Sequence, residues 1–333
     1  MKEDAKVAVI GGGSWATALA HIVLQNRKNI NWYIYEKEII EHLQTHKHNP
    51  QYLSSLIFNP QQITFYNDIQ QIIRDSDVIL MVVPSAYIKT TMGKEDIDFS
   101  GKIFISAVKG IIPDENLTIT QYFGKRYNIP DEKLLVVSGP SHAEEVAMQR
   151  LTYLTVGCSD TQLASKVSDI IRCSFVKTII SHDVTGIEYV AVLKNIYALA
   201  TGIAHGLGYG DNFIAVLVAN AVREMKRFLN KAYKGSTKRK IHHSVYLGDL
   251  LVTAYSQFSR NRTFGTMIGK GYSVKSTMLE MNMVAEGYYA VACIKEINKE
   301  YQINMPITDA VYNILYEKFS PSIEMRILTD KLQ

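Results

Sequence analysis

Lys194 is the residue hardest to explain as ordinary protein surface. It stands with Asn195 inside residues 185–206, a stretch apolar over most of its helical circumference, where an ammonium without a partner is costly to bury. A lysine so placed serves chemistry or an ion pair. Asp249 sits in a second apolar run, residues 246–253, and Ser259-Arg260-Asn261-Arg262 follows after one short connection. An acid able to orient a lysine, with an Arg-Asn pair able to grip a phosphate, makes a coherent chemical set. Between them, Gly206-Leu207-Gly208-Tyr209-Gly210-Asp211-Asn212 is a glycine-rich turn in which Asp211 is expected to N-cap a helix over 213–233.

The elements that position these groups are organised around Val7-Ala8-Val9-Ile10-Gly11-Gly12-Gly13-Ser14-Trp15-Ala16, an apolar strand running through a glycine turn into a helix. Gly11 permits the turn, Gly13 lets backbone N–H groups approach a pyrophosphate, and Ala16 replaces a third glycine where helix and strand pack. The helix opening at Ser14 offers unpaired N–H groups and a positive dipole end to an anion. The pattern predicts dinucleotide binding. Residues 31–36 read as a second strand ending in Glu36, about twenty residues past the turn, where an acid binds ribose hydroxyls and repels a 2′-phosphate. Glu36 therefore points to NAD, with Lys37 beside it softening the preference.

Apolar runs at 63–66, 77–83, 102–108 and 134–138 recur with helical connections, as a parallel sheet covered on both faces requires. Two further strands, 151–157 and 175–181, flank a helix at 161–172 and extend the sheet. Strand ends at Val83-Pro84, Val108-Lys109-Gly110 and Ser138-Gly139-Pro140-Ser141 are expected to line one crevice with the glycine turn, placing the Lys109 cation where nicotinamide and substrate would lie. From 183 onward strand patterns vanish. The expected fold is α/β, an N-terminal Rossmann doubly wound sheet (1–185) followed by an all-helical C-terminal domain (186–333). The polar stretch 41–59, with His42, His46 and His48, reads as a solvated loop, since no third zinc ligand follows at a supporting spacing.

With 333 residues, 47% of them hydrophobic, the chain can bury two cores. A net charge of +4 suits a small anion and does not indicate a nucleic-acid partner. Three widely spaced cysteines argue against a disulfide framework or a zinc site and fit a reducing compartment. With no apolar signal region and no run of ~18 uninterrupted apolar residues, the expectation is a cytoplasmic protein without a membrane span, and a homodimer is plausible from the helical half.

In order and spacing these motifs resemble NAD(P)-dependent glycerol-3-phosphate dehydrogenase over nearly the whole chain. The matching pieces include the glycine turn, Val83-Pro84, Lys109-Gly110, Ser138-Gly139-Pro140-Ser141, Leu193-Lys194-Asn195, the 206–212 turn, Leu247-Gly248-Asp249-Leu250, Ser259-Arg260-Asn261-Arg262 and Ala285-Glu286-Gly287. The resemblance implies a metal-free interconversion of dihydroxyacetone phosphate and sn-glycerol 3-phosphate with NAD(P)H, supplying glycerol 3-phosphate for phospholipid synthesis. It implies that Lys194 gives and takes the proton and that Lys109, Gly139, Ser141, Asn195, Asp249, Ser259, Arg260 and Asn261 surround the phosphotriose. Ser14, Trp15, Ala143, Arg260, Val284 and Glu286 would contact the cofactor. The physics is consistent: negative charge grows on a ketone oxygen under hydride attack, and a positioned ammonium stabilises it and supplies the proton. Neighbouring Lys109 and burial should lower the pKa of Lys194, with Asp249 opposing.

The chain departs from the family pattern at His142, usually an aromatic such as Phe; Ile214, often lysine; Asn220, commonly arginine; and Met283, often glutamine. Bacterial members often carry a basic residue where Glu36 lies. Two other readings compete, a 3-hydroxyacid or 6-phosphogluconate-type dehydrogenase and a catalytically silent nucleotide sensor. The 206–212 turn and Ser259-Arg260-Asn261 favour the phosphotriose over the first, and intact Lys194, Lys109 and Asp249 weigh against the second.

Overall fold

Strands in which every residue is apolar are stable only where both faces of their sheet are covered, and this chain uses its apolar runs that way. The computed structural model describes residues 4–93, 96–233, 239–281 and 285–333. Met283 and Val284 therefore lie outside the described residues. The strands are β1 (Val7–Ile10), β2 (Ile30–Tyr33), β3 (Ile63–Tyr66), β4 (Val78–Met81), β5 (Ile103–Ser106), β6 (Ile111–Ile112), β7 (Leu117–Thr118), β8 (Leu134–Ser138), β9 (Thr152–Gly157) and β10 (Val176–Ser181). All residues of β1, β2, β4, β5 and β8 are buried.

Two compact units form, one from 1–108 with 119–184, the other from 109–118 with 185–333. The first holds an eight-stranded sheet in the order β10-β9-β8-β5-β4-β1-β2-β3. Strands from β3 to β8 pair in parallel, β9 runs antiparallel to β8, and β10 is parallel to β9. Strand order reverses at β1, which pairs β2 on one side and β4 on the other. Ligands of doubly wound sheets bind outside the carboxyl ends of the strands at such a switch point. Gly11 occupies it, with φ +133° and its missing Cβ only 3.3 Å from the Val82 carbonyl carbon.

Three local expectations need correction. The second strand stops at Tyr33, and Glu36 is the N-cap residue of the helix Lys37–His46. That helix also takes the first part of the stretch expected to be a solvated loop. His42 and His46 stack on it with ring centroids 4.2 Å apart, and His42 Nε2 lies 3.4 Å from His48 Nε2. Among the described residues no group of three metal-ligating side chains forms. The same stretch buries Asn49 completely. Finally, Asp211 is the first residue of the helix Asp211–Ala232, with Gly210 at the N-cap; its carboxylate meets the positive helix end from the first turn.

The second unit is helical apart from the β6-β7 hairpin, which carries Lys109 at its start. At its centre is Val184–Gly206, buried over 186–204 and apolar enough to cross a membrane by composition, yet enclosed by protein along its length. Two glycine pairs at helical spacing bring this helix and Arg260–Gly269 together. A Cβ on Gly202 would lie 2.1 Å from the Arg262 carbonyl oxygen, and one on Gly265 2.2 Å from that of Leu199. Gly206 and Gly269 meet each other's helix in the same manner. Only glycine permits such backbone approach, and it fixes where Arg260 and Asn261 enter the unit. Elsewhere a buried carboxylate, Glu224, accepts from the Ile307 and Thr308 amides at 2.8 and 3.0 Å, capping the helix that Pro306 opens; burial pushes its pKa up to about 7.

Gly265→Ala sets two effects against each other. Alanine favours a helix by roughly 1 kcal/mol over glycine, whereas forcing a methyl group into the Leu199 carbonyl costs about 1–3 kcal/mol as the helices separate. Because 2.2 Å allows no accommodation without backbone movement, a thermal melt should show net destabilisation. A variant melting at or above wild type would contradict the close crossing.

Candidate active site

In the first unit, the glycine turn is shaped to receive an anion. A Cβ on Gly13 would meet nothing within 4 Å, so the turn is open on that side. Gly13 is also the N-cap of the helix Ser14–Leu24, whose first turn carries no acid, leaving its positive end for a negative ligand. Ala16 is buried in that helix. Trp32 donates from Nε1 to the Gly11 carbonyl at 2.8 Å, and Thr17 donates to the Gly13 carbonyl from both its amide, 2.9 Å, and its hydroxyl, 3.0 Å. The Glu36 carboxylate comes back to this turn, its Oε2 3.5 Å from where a Gly12 Cβ would stand. Glycine at 12 is needed there too, since that Cβ would be 2.9 Å from Ile34 Cγ2. The turn, the open face and the helix end fit a dinucleotide pyrophosphate, and the Glu36 carboxylate stands beside the turn.

At the end of β8, Gly139 has φ +143° and would drive a Cβ to 2.6 Å from the Tyr153 carbonyl oxygen. Ser141 closes this loop by donating to the Gly139 carbonyl at 2.9 Å. His142 is then the N-cap residue of the helix Ala143–Ala147, which packs on Ser14–Leu24 and so places Ala143 by the first helix.

In the second unit, Lys194 is buried on the central helix, and its Nζ donates to Asp249 Oδ1 at 2.6 Å and Thr253 Oγ1 at 2.8 Å. Lys109 Nζ stands 3.5 Å from the other oxygen of Asp249, which is 1% exposed. Asp249 follows a π-helical turn, Ser244–Gly248, and begins the helix Asp249–Tyr255. Thr253, one helical turn on, donates its hydroxyl to the Asp249 carbonyl at 2.6 Å and offers its lone pair to Lys194. Burial is the largest influence on Lys194; with the Lys109 charge it overcomes Asp249 and holds the pKa down at about 7. An amine with this pKa gives or takes a proton readily near neutrality.

Neighbouring residues hold this cluster. Asn195 Nδ2 donates to the Lys109 carbonyl at 2.7 Å, tying the hairpin start to the central helix. Ser259 is the N-cap of Arg260–Gly269, its hydroxyl accepting from the Arg262 amide at 3.3 Å. Arg260 opens that helix, half-buried. Asn261 Oδ1 accepts from the Gly287 amide at 2.9 Å, capping the helix that Glu286 begins. Ile214 is buried on the helix Asp211–Ala232. Asn220, on the same helix, donates to the Gln333 carbonyl at 2.8 Å and accepts from its amide at 3.1 Å. Sequence reading missed Trp32, Asn49 and Thr253. Only Thr253 left a signal, its spacing of four from Asp249, which puts both on one helix face.

Sheet order, glycine turn and a buried lysine paired with a second lysine through Asp249 define a dinucleotide-dependent dehydrogenase. Residues 6–164 match the model of the NAD-dependent glycerol-3-phosphate dehydrogenase N-terminus and residues 183–326 that of its C-terminus. The chain is 35% identical over 316 residues to glycerol-3-phosphate dehydrogenase [NAD(P)+] of Bacillus pumilus, covering 94% of this chain and 90% of that one. With the enzyme of the same name from Exiguobacterium it shares 33% identity over 99% and 96% of the two chains. The crystal structure of glycerol-3-phosphate dehydrogenase from Coxiella burnetii superposes with a TM-score of 0.90 at 27% identity, covering 98% of this chain and 99% of that one. The chain thus belongs to the NAD-dependent glycerol-3-phosphate dehydrogenase family, and it is an oxidoreductase that uses NAD or NADP.

The pKa of Lys194 carries a sign for stability. Between about pH 7 and its ordinary value of 10.5 the unfolded chain holds a proton on Lys194 that the folded chain has released, so stability rises with pH across that window. Melts of wild type and Lys194→Met at pH 7 and pH 10 should show wild type gaining on the variant, by up to a few kcal/mol. A constant gap between them would mean that Lys194 keeps its ordinary pKa in the fold.

Proposed function

We propose that Lys194 is the proton donor and acceptor in the interconversion of dihydroxyacetone phosphate and sn-glycerol 3-phosphate. The buried Lys194-Asp249 pair, with Lys109 against the other oxygen of Asp249, carries this reading. NAD(P)H, when bound, supplies the hydride. Two N–H groups of Lys194 are engaged by Asp249 and Thr253, and the third is directed at the substrate oxygen, where it stabilises growing negative charge and then transfers its proton. Asp249 orients both ammonium groups, and Lys109 keeps Lys194 from becoming too weak an acid. Asn195 steadies Lys109 through its carbonyl.

Arg260 grips the substrate phosphate, so that binding energy remote from the carbonyl orients the reacting end. Asn261, with its oxygen used on Gly287, offers its amide N–H groups; Ser259, with its oxygen on Arg262, acts by setting the start of the Arg260 helix. Gly139 and Ser141 complete the substrate surroundings. The family resemblance assigns cofactor contacts to Gly11, Gly13, Ser14, Trp15, Ala16 and Ala143, and to Arg260, Val284 and Glu286. Glu36 accepts from the ribose hydroxyls and favours NAD over NADP. The reaction supplies glycerol 3-phosphate for phospholipid synthesis in the cytoplasm, and the protein acts as a homodimer without nucleic acid.

Four measurements test this reading. Lys194→Ala should lower kcat by about 100-fold or more with NADH affinity nearly unchanged; retention of a tenth of wild-type kcat removes Lys194 from the chemistry. In wild type, ketone reduction should decline as pH rises through about 7 while alcohol oxidation increases, because the two directions need opposite protonation states of Lys194. Glu36→Arg should move preference towards NADPH by about 5- to 150-fold in kcat/KM, on the order of 1–3 kcal/mol. A wild-type enzyme that already prefers NADPH would refute the Glu36 contact. Arg260→Ala should raise KM for dihydroxyacetone phosphate, and equal wild-type activity on dihydroxyacetone itself would refute phosphate recognition.

A further inference from the structure

A turn that binds an anion through N–H groups must keep its carbonyl oxygens turned away, because a carbonyl facing a phosphate repels it. The peptide unit is planar and trans, so the carbonyl of one residue and the N–H of the next point in opposite directions. Whatever holds the Gly12 carbonyl therefore aims the Gly13 N–H. In this chain the holder comes from outside the turn and its flanking elements. Asn49 Nδ2 donates to the Gly12 carbonyl at 3.0 Å and to Thr17 Oγ1 at 3.0 Å. The Thr17 hydroxyl in turn donates to the Gly13 carbonyl at 3.0 Å.

Asn49 itself is fully buried, and its remaining polar atom is engaged. Its Oδ1 accepts from the amides of Gln51 and Tyr52 at 3.0 and 3.1 Å, folding the segment after the helix Lys37–His46 back on itself. The side chain is thereby fixed by its own loop before it reaches the turn. With Trp32 on Gly11, Asn49 on Gly12 and Thr17 on Gly13, each carbonyl of the triple glycine is drawn to a donor. Glycine is the residue least able to hold a peptide plane by itself, so three in succession need such restraint.

We propose that Asn49 is a positioning residue for cofactor binding, which fixes the Gly12-Gly13 peptide plane so that the Gly13 N–H faces the dinucleotide pyrophosphate. The proposal rests on the reading of the glycine turn as the pyrophosphate site. Asn49 touches neither the reacting carbonyl nor the lysine cluster, so its loss acts on the binding of NAD(H) and leaves the chemistry alone.

The test is NADH and ADP-ribose titration by calorimetry, together with steady-state kinetics, on wild type, Asn49→Ala and Thr17→Val. Asn49→Ala should weaken both ligands by at least about 10-fold, with full binding stoichiometry and with kcat at saturating NADH and KM for dihydroxyacetone phosphate within about 2-fold of wild type. Thr17→Val, which removes the hydroxyl linking Asn49 to the Gly13 carbonyl, should weaken both ligands in the same sense but less. A merely structural loss reads differently: stoichiometry falls with the folded fraction while the Kd of what remains is unchanged, and that result overturns the proposal. If Asn49→Ala does not melt cooperatively, Thr17→Val decides, and wild-type Kd values in it overturn the proposal. Failure of the wild type itself to bind ADP-ribose would instead sink the reading of the turn.

Discussion

One carboxylate, Asp249, holds two ammonium groups that water would otherwise solvate, and the second unit is built around that constraint. Buried ion pairs rarely stabilise a fold, since desolvation offsets most of the attraction. Here desolvation is the largest influence on Lys194 and outweighs Asp249, with Lys109 adding to it, so the amine sits near neutrality in proton affinity. The cost to stability and the capacity for proton transfer are one quantity. Keeping Lys194 dry requires a helix covered on all sides, which is why Val184–Gly206 reads as a membrane span by composition and is enclosed by protein in the fold.

The proposed anion contacts differ between the two units. In the second they are side-chain cations, whose positions follow from backbone contact: Gly202 and Gly206 receive Arg260–Gly269, while Gly287 rests against the Asn195 carbonyl, which a Cβ would approach to 2.6 Å. A helix docked through glycine has little freedom to shift, so Arg260 and Asn261 are placed by packing and not by flexible side chains. In the first unit the proposed contact is the backbone of the glycine turn. Its peptide planes are set by Trp32, Asn49 and Thr17, and the helix dipole adds to them.

What could be seen in the sequence was whatever shows itself as a break in a local pattern. The glycine turn interrupts an apolar strand, Lys194 and Asp249 interrupt apolar helices, and the change from strand to helix patterns near 183 separates the two halves of the fold. Contacts between distant residues left no such mark. The Lys109–Thr118 hairpin groups with residues beyond 184, although it follows β5 directly. Asn49 reads as one more polar residue in a polar stretch, and its burial depends on Gly12 and Thr17, which lie far earlier in the chain. In the sequence Glu36 reads as a strand end, because alternation does not reveal where pairing stops. The strand ends at Tyr33, and the following residues carry the carboxylate back to the turn. The antiparallel β9 was equally silent, since strand direction is set by the length and path of the connection before it.

The central claim is that burial and Lys109 together outweigh Asp249 at Lys194. Its most direct measurement is an NMR titration of the lysine ε-methylene signals in selectively labelled protein, with Lys194 assigned by its loss in Lys194→Met. The account predicts one lysine titrating near pH 7, moving upward when Lys109 is replaced by methionine. A Lys194 resonance that stays protonated until about pH 10, the ordinary lysine value, would contradict it.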